Sequence, residues 1–245
     1  MKYTYGVLSI ISFVVHCWGQ DPIFTPTCKV NAVNQQAAHY VGSATPSSGK
    51  LQLKLLLLEG LQKEDRVLEI GCGALIAAIP IMSFLEPDHY VGIDPNKWLI
   101  EDSLKVLENQ AIAKKQYPTF LYNNDFNASS LGIEFDFIIS HSIISHAAHW
   151  QLPLFLENCA KVLKDDGVVI VSLRLTDPNE YGSCGAEKET QAIDWQYPGN
   201  SFFDKDTIVQ EASKWFRKVE HKKSYTKLFT DEEPGAFHDW FVLTK

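Results

Sequence analysis

The sequence predicts a doubly wound α/β fold on a mostly parallel sheet, and three observations carry that expectation. Short, nearly continuous apolar runs (VLEI, YVGI, FDFIIS, VVIVSL) recur through residues 66–173. Segments of helical length separate them, the pattern of strands buried on both faces beneath helices. A glycine turn and an acidic turn fall at the ends of the first two runs, where ligands bind in such sheets.

Taken in order, residues 21–49 are polar and rich in Pro, Ser, Asn and Gln. They read as a lead-in segment with helical character near Asn34–Tyr40. Leu51–Leu61, rich in Leu and Lys and closed at Gly60, reads as a helix. Arg66–Ile70 is the first strand and runs into Gly71-Cys72-Gly73. Ala74–Leu85 has helical length, and Pro80 should kink or shorten it, because proline lacks the N–H and clashes with the preceding turn. Tyr90–Ile93 is a second strand, Lys97–Asn109 a second helix of the alternation, Thr119–Tyr122 a third strand and Phe135–Ser140 a fourth. Gln151–Leu163 is the next helix, and Val168–Leu173 a fifth strand behind the Asp166-Gly167 turn. After an insertion at 176–203, a helix is expected near Lys205–Phe216. Two extended stretches, Arg217–Tyr225 and Phe237–Leu243, would close the sheet edge as a strand pair. His238-Asp239-Trp240 fits that closing strand.

The whole reads as one domain over 20–245, with a core at 50–175 and a C-terminal part at 204–245. At 245 residues, 45% apolar and 21% charged, the chain is long enough for one sizeable core. The net charge of −8 argues against a nucleic-acid partner. The basic cluster Arg217-Lys218 with Lys222-Lys223 alternates with apolar and acidic residues, as a solvated face does.

The first nineteen residues stand apart. Lys2 followed by the apolar run Gly6–Val15, with Cys17 and Gly19 before a cut at Gln20, reads as a cleaved signal peptide. That places the chain in the secretory lumen or outside the cell, with no membrane span once the segment is removed. A retained membrane anchor or a cytoplasmic chain with an ordinary N-terminal strand is the alternative. Cys28, Cys72, Cys159 and Cys184 would remain in an oxidising compartment. Cys72 and Cys159 read as free and packed, and Cys28 with Cys184 is the pairing to test. No Cys or His spacing resembles a metal site. Asn127-Ala128-Ser129 is a glycosylation sequon, meaningful only in a secreted chain.

Two turns carry chemistry. In Glu69-Ile70-Gly71-Cys72-Gly73, the missing side chains let the backbone turn sharply and lie against a ligand. In Gly92-Ile93-Asp94-Pro95-Asn96, Asp94 ends the second strand, where a carboxylate can accept both hydroxyls of a ribose. A dinucleotide fingerprint would need a third glycine, but the turn continues Ala74-Leu75-Ile76. No Walker sequence and no Tyr-x-x-x-Lys pair is present, which argues against nucleotide hydrolysis and nicotinamide chemistry.

The segment Arg66–Leu173 resembles the class I S-adenosylmethionine-dependent methyltransferases. VLEIGCG is similar to their first motif and GIDPN to their acidic loop; FDFIISHSIISH and KVLKDDGVVIVS are similar to their fourth and fifth strand region. EIGCGALIAA with YVGIDPNKWLIE is similar to a group of class I members that usually read GCGSLRGG with GIDPNKWLI. This chain shares that group's leucine, at Leu75, in place of a third glycine, and departs from it at Ile76 and Ala77. The resemblance implies a three-layer Rossmann-like sandwich with a mostly parallel seven-stranded sheet and an antiparallel C-terminal strand. It implies S-adenosylmethionine as cofactor and methyl transfer to an O or N atom of a small-molecule acceptor. Glu69, Gly71, Cys72 and Gly73 would surround the methionine end, and Asp94 would take the ribose. Pro95 and Asn96 would shape the adenine side, Asp125 would bond the adenine amino group, and Phe126 would stack on the ring.

Ser140 and His141 would face the reacting methyl. His141 and His146 are candidate proton acceptors in a cluster with His149. The other reading of each histidine is a packed residue, since many such transfers proceed by proximity and orientation alone. A secreted or lumenal binding protein that keeps the fold without catalysis is the second functional reading. Acceptor-side elements are expected in residues 21–49 and in the aromatic-rich 176–203 insertion.

Overall fold

The structure, a computed structural model, describes residues 46–108, 115–176, 201–228 and 238–245. The expected signal segment, positions 21–45 of the lead-in, the Cys28–Cys184 pairing and most of the insertion lie outside the described residues; positions 46–49 of the lead-in already belong to the first helix, which runs Pro46–Leu58 instead of the expected Leu51–Leu61.

Seven strands run in the order β3-β2-β1-β4-β5-β8-β7. They are β1 (Val67–Ile70), β2 (Tyr90–Ile93), β3 (Thr119–Leu121), β4 (Phe135–Ser140), β5 (Leu163–Leu175), β7 (Lys218–His221) and β8 (Asp239–Thr244). The two-residue β6 (Phe202–Phe203) pairs with the end of β5, off this path. Strands β1 to β5 pair in parallel; β8 is antiparallel to both β5 and β7. The expected mostly parallel seven-stranded sheet with an antiparallel C-terminal strand is present, with β6 as an addition. The strand order reverses between β1 and β4, which opens a crevice at their carboxyl ends.

Alternating side chains divide the core into two layers. Leu68, Ile70, Val91, Ile93, Ile138, Phe241 and Leu243 point to one face, against α4 (Gln151–Val162) and α5 (Lys205–Ala212). Val67, Tyr90, Phe137, Ile139, Trp240 and Val242 point to the other, against α1 (Pro46–Leu58), α2 (Ala78–Phe84) and α3 (Lys97–Glu108). Each face thereby removes its own apolar surface from water, the dominant favourable term in folding.

Several boundaries differ from the sequence reading for local reasons. Helix α2 begins at Ala78, not Ala74, so Pro80 lies in its first turn, where a missing N–H loses no helical bond. It shortens the helix rather than kinking it. The fifth strand is longer than expected: Phe135 pairs with Leu163 and Phe137 with Val168, so Lys164–Gly167 bulges out within one strand. Lys164 anchors the bulge on Asp136 at 2.6 Å. The stretch Arg217–Tyr225 is extended only as β7; Lys223–Thr226 forms a helical turn, α6, whose Tyr225 hydroxyl donates to Glu59 of the α1 connection. Cys72 and Cys159 are free and buried, as expected.

Candidate functional site

The carboxyl ends of β1 and β2 are joined by backbone. Gly71 N–H and Cys72 N–H both donate to the Ile93 carbonyl, at 2.7 and 3.1 Å. Gly71 adopts φ +83°, and a Cβ there would lie 2.0 Å from Ile143 Cδ1. Two separate constraints therefore demand glycine, one of backbone and one of space. Gly73 also has positive φ, and its N–H donates to Asp94 Oδ2 at 2.9 Å. Asn96 N–H donates to Asp94 Oδ1 at 2.8 Å. One buried carboxylate thus ties the glycine turn to the acidic turn, and Pro95 between them is half-buried.

Leu75 stands where a third glycine is usual in the resembling family. It keeps the backbone such a glycine would allow, φ 60°, and is completely buried in the α1–α2 layer. A left-handed leucine costs roughly 1–2 kcal/mol; full burial of its side chain contributes a comparable or larger stabilisation. Cys72 lies against Gly92, where a Cβ would come within 2.8 Å of its Sγ. Burial, with Asp94 and Glu69 nearby, pushes the thiol pKa well up, so it stays protonated.

Glu69 is buried, and the Tyr90 hydroxyl donates to it at 2.5 Å. Burial raises its pKa to about 7, the Tyr90 bond partly offsets this, and Asp94 adds to the rise. Burial raises Asp94 to about 6, against the two backbone N–H donors and the Asn96 side chain. A carboxylate can accept about four hydrogen bonds, so Asp94 keeps acceptor capacity to spare. Asn96 Oδ1 and Ser140 Oγ, at the ends of β2 and β4, are buried with no hydrogen-bond partner. Buried polar atoms without partners are rare and mark a place for a ligand or ordered water. The turns at β1 and β2 therefore present hydrogen-bond acceptors around a glycine cradle. A ligand bearing vicinal hydroxyls and an ammonium group fits this donor–acceptor balance.

Asp125 and Phe126 follow β3. Asp125 is exposed; its carboxylate accepts from Asn127 N–H at 3.3 Å as an Asx turn, and its carbonyl accepts from Asn158 Nδ2 at 2.7 Å. Phe126, at φ 62°, is 7% exposed and packs edge-on against Phe155 with centroids 5.6 Å apart.

The three histidines expected to cluster divide. His149 is taken up by β6: its Nε2 lies 3.0 Å from the Phe202 carbonyl and its ring stacks on Phe203. His141 stacks on Trp240 at 5.1 Å and meets His238 edge-on at 5.5 Å. Burial lowers the His141 pKa to about 4. His146 ends a short 3-10 turn, Ile144–His146, and acts electrostatically on His238. His238, 4% exposed, belongs to this group and does more than lead into the closing strand. Because β8 is antiparallel to β5, pairing Asp239 with Leu173, the residue before β8 arrives at the end of β5. The Ser172 hydroxyl joins them, accepting from Ser142 N–H at 2.8 Å and lying 3.0 Å from His238 Nδ1. Only the strand pairing brings positions 141, 172 and 238 together, so no local motif could signal the group.

A family model described as a methyltransferase domain matches residues 47–215. An uncharacterized methyltransferase of Schizosaccharomyces pombe is 22% identical over 135 residues, which are 52% of this chain and 42% of that protein. This chain therefore accounts for less than half of that relative's length. Among solved structures, magnesium protoporphyrin IX methyltransferase of Synechocystis, solved with S-adenosylhomocysteine, superposes with TM-score 0.57 at 14% identity, covering 97% of this chain and 95% of that one. An O-methyltransferase family protein of Burkholderia thailandensis gives TM-score 0.59 at 9% identity, covering 86% and 60%. At such identities the structures speak for the fold. Membership is decided by a family model spanning more than half of the chain: the chain belongs to the methyltransferase-domain family, in its class I, Rossmann-like form.

Proposed function

We propose that this chain is an S-adenosylmethionine-dependent methyltransferase acting on an O or N atom of a small-molecule acceptor. The observation that carries the reading is Asp94: a carboxylate buried at the switch in strand order, raised to about 6, with acceptor capacity unused. Ribose hydroxyls supply the missing donors and favour the ionised form. Glu69, Gly71, Cys72 and Gly73 surround the methionine end, with Pro95 and Asn96 beside the adenine. Asp125 takes the adenine amino group, Phe126 the ring, and Ser140 lies toward the reacting methyl. The cofactor, when bound, supplies an electrophilic methyl on a sulfonium.

The chain's own contribution is orientation and exclusion of water. His141, with its pKa lowered to about 4, is neutral at physiological pH and therefore a weak base. It positions more than it deprotonates. The net charge of −8 disfavours nucleic-acid acceptors, and the similar magnesium protoporphyrin IX enzyme is named for a small-molecule substrate.

Calorimetry with S-adenosylhomocysteine tests the reading. The folded chain is expected to bind it saturably. Asp94→Ala removes a buried, charge-assisted acceptor and should weaken binding roughly a hundredfold, about 2.7 kcal/mol. Absence of binding by the folded chain overturns the reading.

A further inference from the structure

The carboxyl ends of β4 and β5 and the start of β8 bring one guanidinium, Arg174, together with two neutral imidazoles, His141 and His238. Arg174, next to last in β5, has a buried Nε with no hydrogen-bond partner, and its guanidinium lies 5.8 Å over the Phe202 ring. It makes no ion pair with any described carboxylate. Asp239, the nearest acid along β8, is bound to His221 at 2.7 Å instead. Beside Arg174 sits His238, whose Nδ1 meets Ser172 Oγ. That oxygen already accepts from Ser142 N–H. When its own proton goes to Nδ1, the ring proton sits on Nε2, which then presents a donor. Burial keeps His238 neutral, and repulsion of its protonated form by the protonated forms of His141 and His146 and by Arg174 works in the same direction. A guanidinium with a buried, unbonded N–H beside an imidazole donor is a built receptor for a planar anion. Phe202 lies under the guanidinium with its aromatic face.

We propose that Arg174 and His238 form the acceptor-binding end of this site and hold a carboxylate of the methyl acceptor. The inference rests on the methyl-transfer reading above and names the class of acceptor: an aromatic or otherwise flat carboxylic acid. The carboxylate takes the Arg174 fork and the His238 Nε2–H. The acceptor's O or N atom then points back along the sheet end toward Ser140. The 3-10 turn at Ile144–His146 closes one side, where Ser201 N–H donates to the Ser145 carbonyl at 2.8 Å and leads the chain into β6.

The test is a titration of the full chain with benzoate, read on the His238 imidazole resonance and assigned by its loss in His238→Asn. The expected result is a saturable shift with benzoate and none with benzamide at the same concentrations. Arg174→Gln should weaken benzoate binding at least tenfold while leaving S-adenosylhomocysteine affinity within twofold. If Arg174→Gln does not fold, Arg174→Lys, which keeps the charge and loses the fork, takes its place with a smaller expected loss. Equal shifts with benzoate and benzamide, or no saturation, overturn the inference. So does unchanged benzoate affinity in the arginine variant. If S-adenosylhomocysteine does not bind, the methyl-transfer reading fails. Benzoate titration of the cofactor-free chain then decides whether the anion receptor exists by itself.

Discussion

The two halves of the crevice are built by opposite means. At the ends of β1 and β2, the groups lie within about thirty residues of chain and are acidic: Glu69 and Asp94 sit buried with hydrogen-bond capacity to spare. At the ends of β4, β5 and β8, the groups come from widely separated stretches of chain and are basic or imidazole: His141, Arg174, His238. The first half is a local motif tied by one carboxylate. The second is a product of strand pairing. The difference teaches that acceptors of hydrogen bonds collect where the cofactor would lie, and donors where the methyl acceptor would.

Breaking the first half should have the largest effect. In Gly71→Ala, the added Cβ meets Ile143 and the residue must hold φ +83°. Overpacking and left-handed strain together predict a loss of roughly 2–5 kcal/mol, measured by urea unfolding. Adding Ile143→Ala should recover the steric part and leave the backbone part. If the double variant is no more stable than Gly71→Ala, the close approach of Ile143 is not the cause.

The two halves should also respond oppositely to pH. The folded pKa values of Asp94 and Glu69 are raised, to about 6 and about 7, so between pH 4 and 7 the folded state binds more protons than the unfolded one. Their contribution therefore favours the fold at low pH and is lost as pH rises through those values. His141 is lowered to about 4, so the unfolded state binds more protons between 4 and 6.5 and stability from this group rises with pH. A tenfold difference in proton affinity between the two states corresponds to about 1.4 kcal/mol before other groups respond. Unfolding free energy measured at pH 5 and pH 7.5 should rise more steeply with pH in Asp94→Asn than in the parent, and less steeply in His141→Phe. Parallel profiles would remove the contrast.

A smaller effect is expected at Leu75. Leu75→Gly relieves the left-handed backbone but empties a fully buried side-chain site. The cavity outweighs the strain, for a net loss of about 2 kcal/mol in denaturant unfolding. A gain in stability would show that the backbone strain dominates. The smallest effect belongs to Pro80→Ala. Because Pro80 occupies the first turn of α2, the change in melting temperature should correspond to under about 1 kcal/mol. A gain near 3 kcal/mol, the penalty of an interior proline, would show that it interrupts a helix already under way.

The boundaries that the sequence misplaces have simple causes. Local propensity cannot see how many helical N–H groups precede Pro80, so kinking and shortening look alike until the start of α2 is known. The Asp166-Gly167 turn reads equally as a loop before a strand or as a bulge inside one, and the pairing of Phe135 with Leu163 selects the bulge. The three histidines at 141, 146 and 149 look like one cluster because they are close in sequence. The chain direction after Ile144–His146 carries His149 to β6 instead.

By itself the sequence determined the α/β alternation, the glycine turn after β1 and the acid that ends β2. These depend on runs of apolar residues and on short-range backbone geometry, and both are written in contiguous positions. It determined equally that Leu75 would stand in a glycine's place. Only the tertiary structure decided that Ile143 covers Gly71, that Leu75 keeps a left-handed backbone by full burial, and that His238 arrives at the end of β5 within electrostatic reach of Arg174. Those outcomes follow from which strands pair and in which direction. Strand pairing is set by the burial of whole faces over long stretches of chain, not by any residue's immediate neighbours.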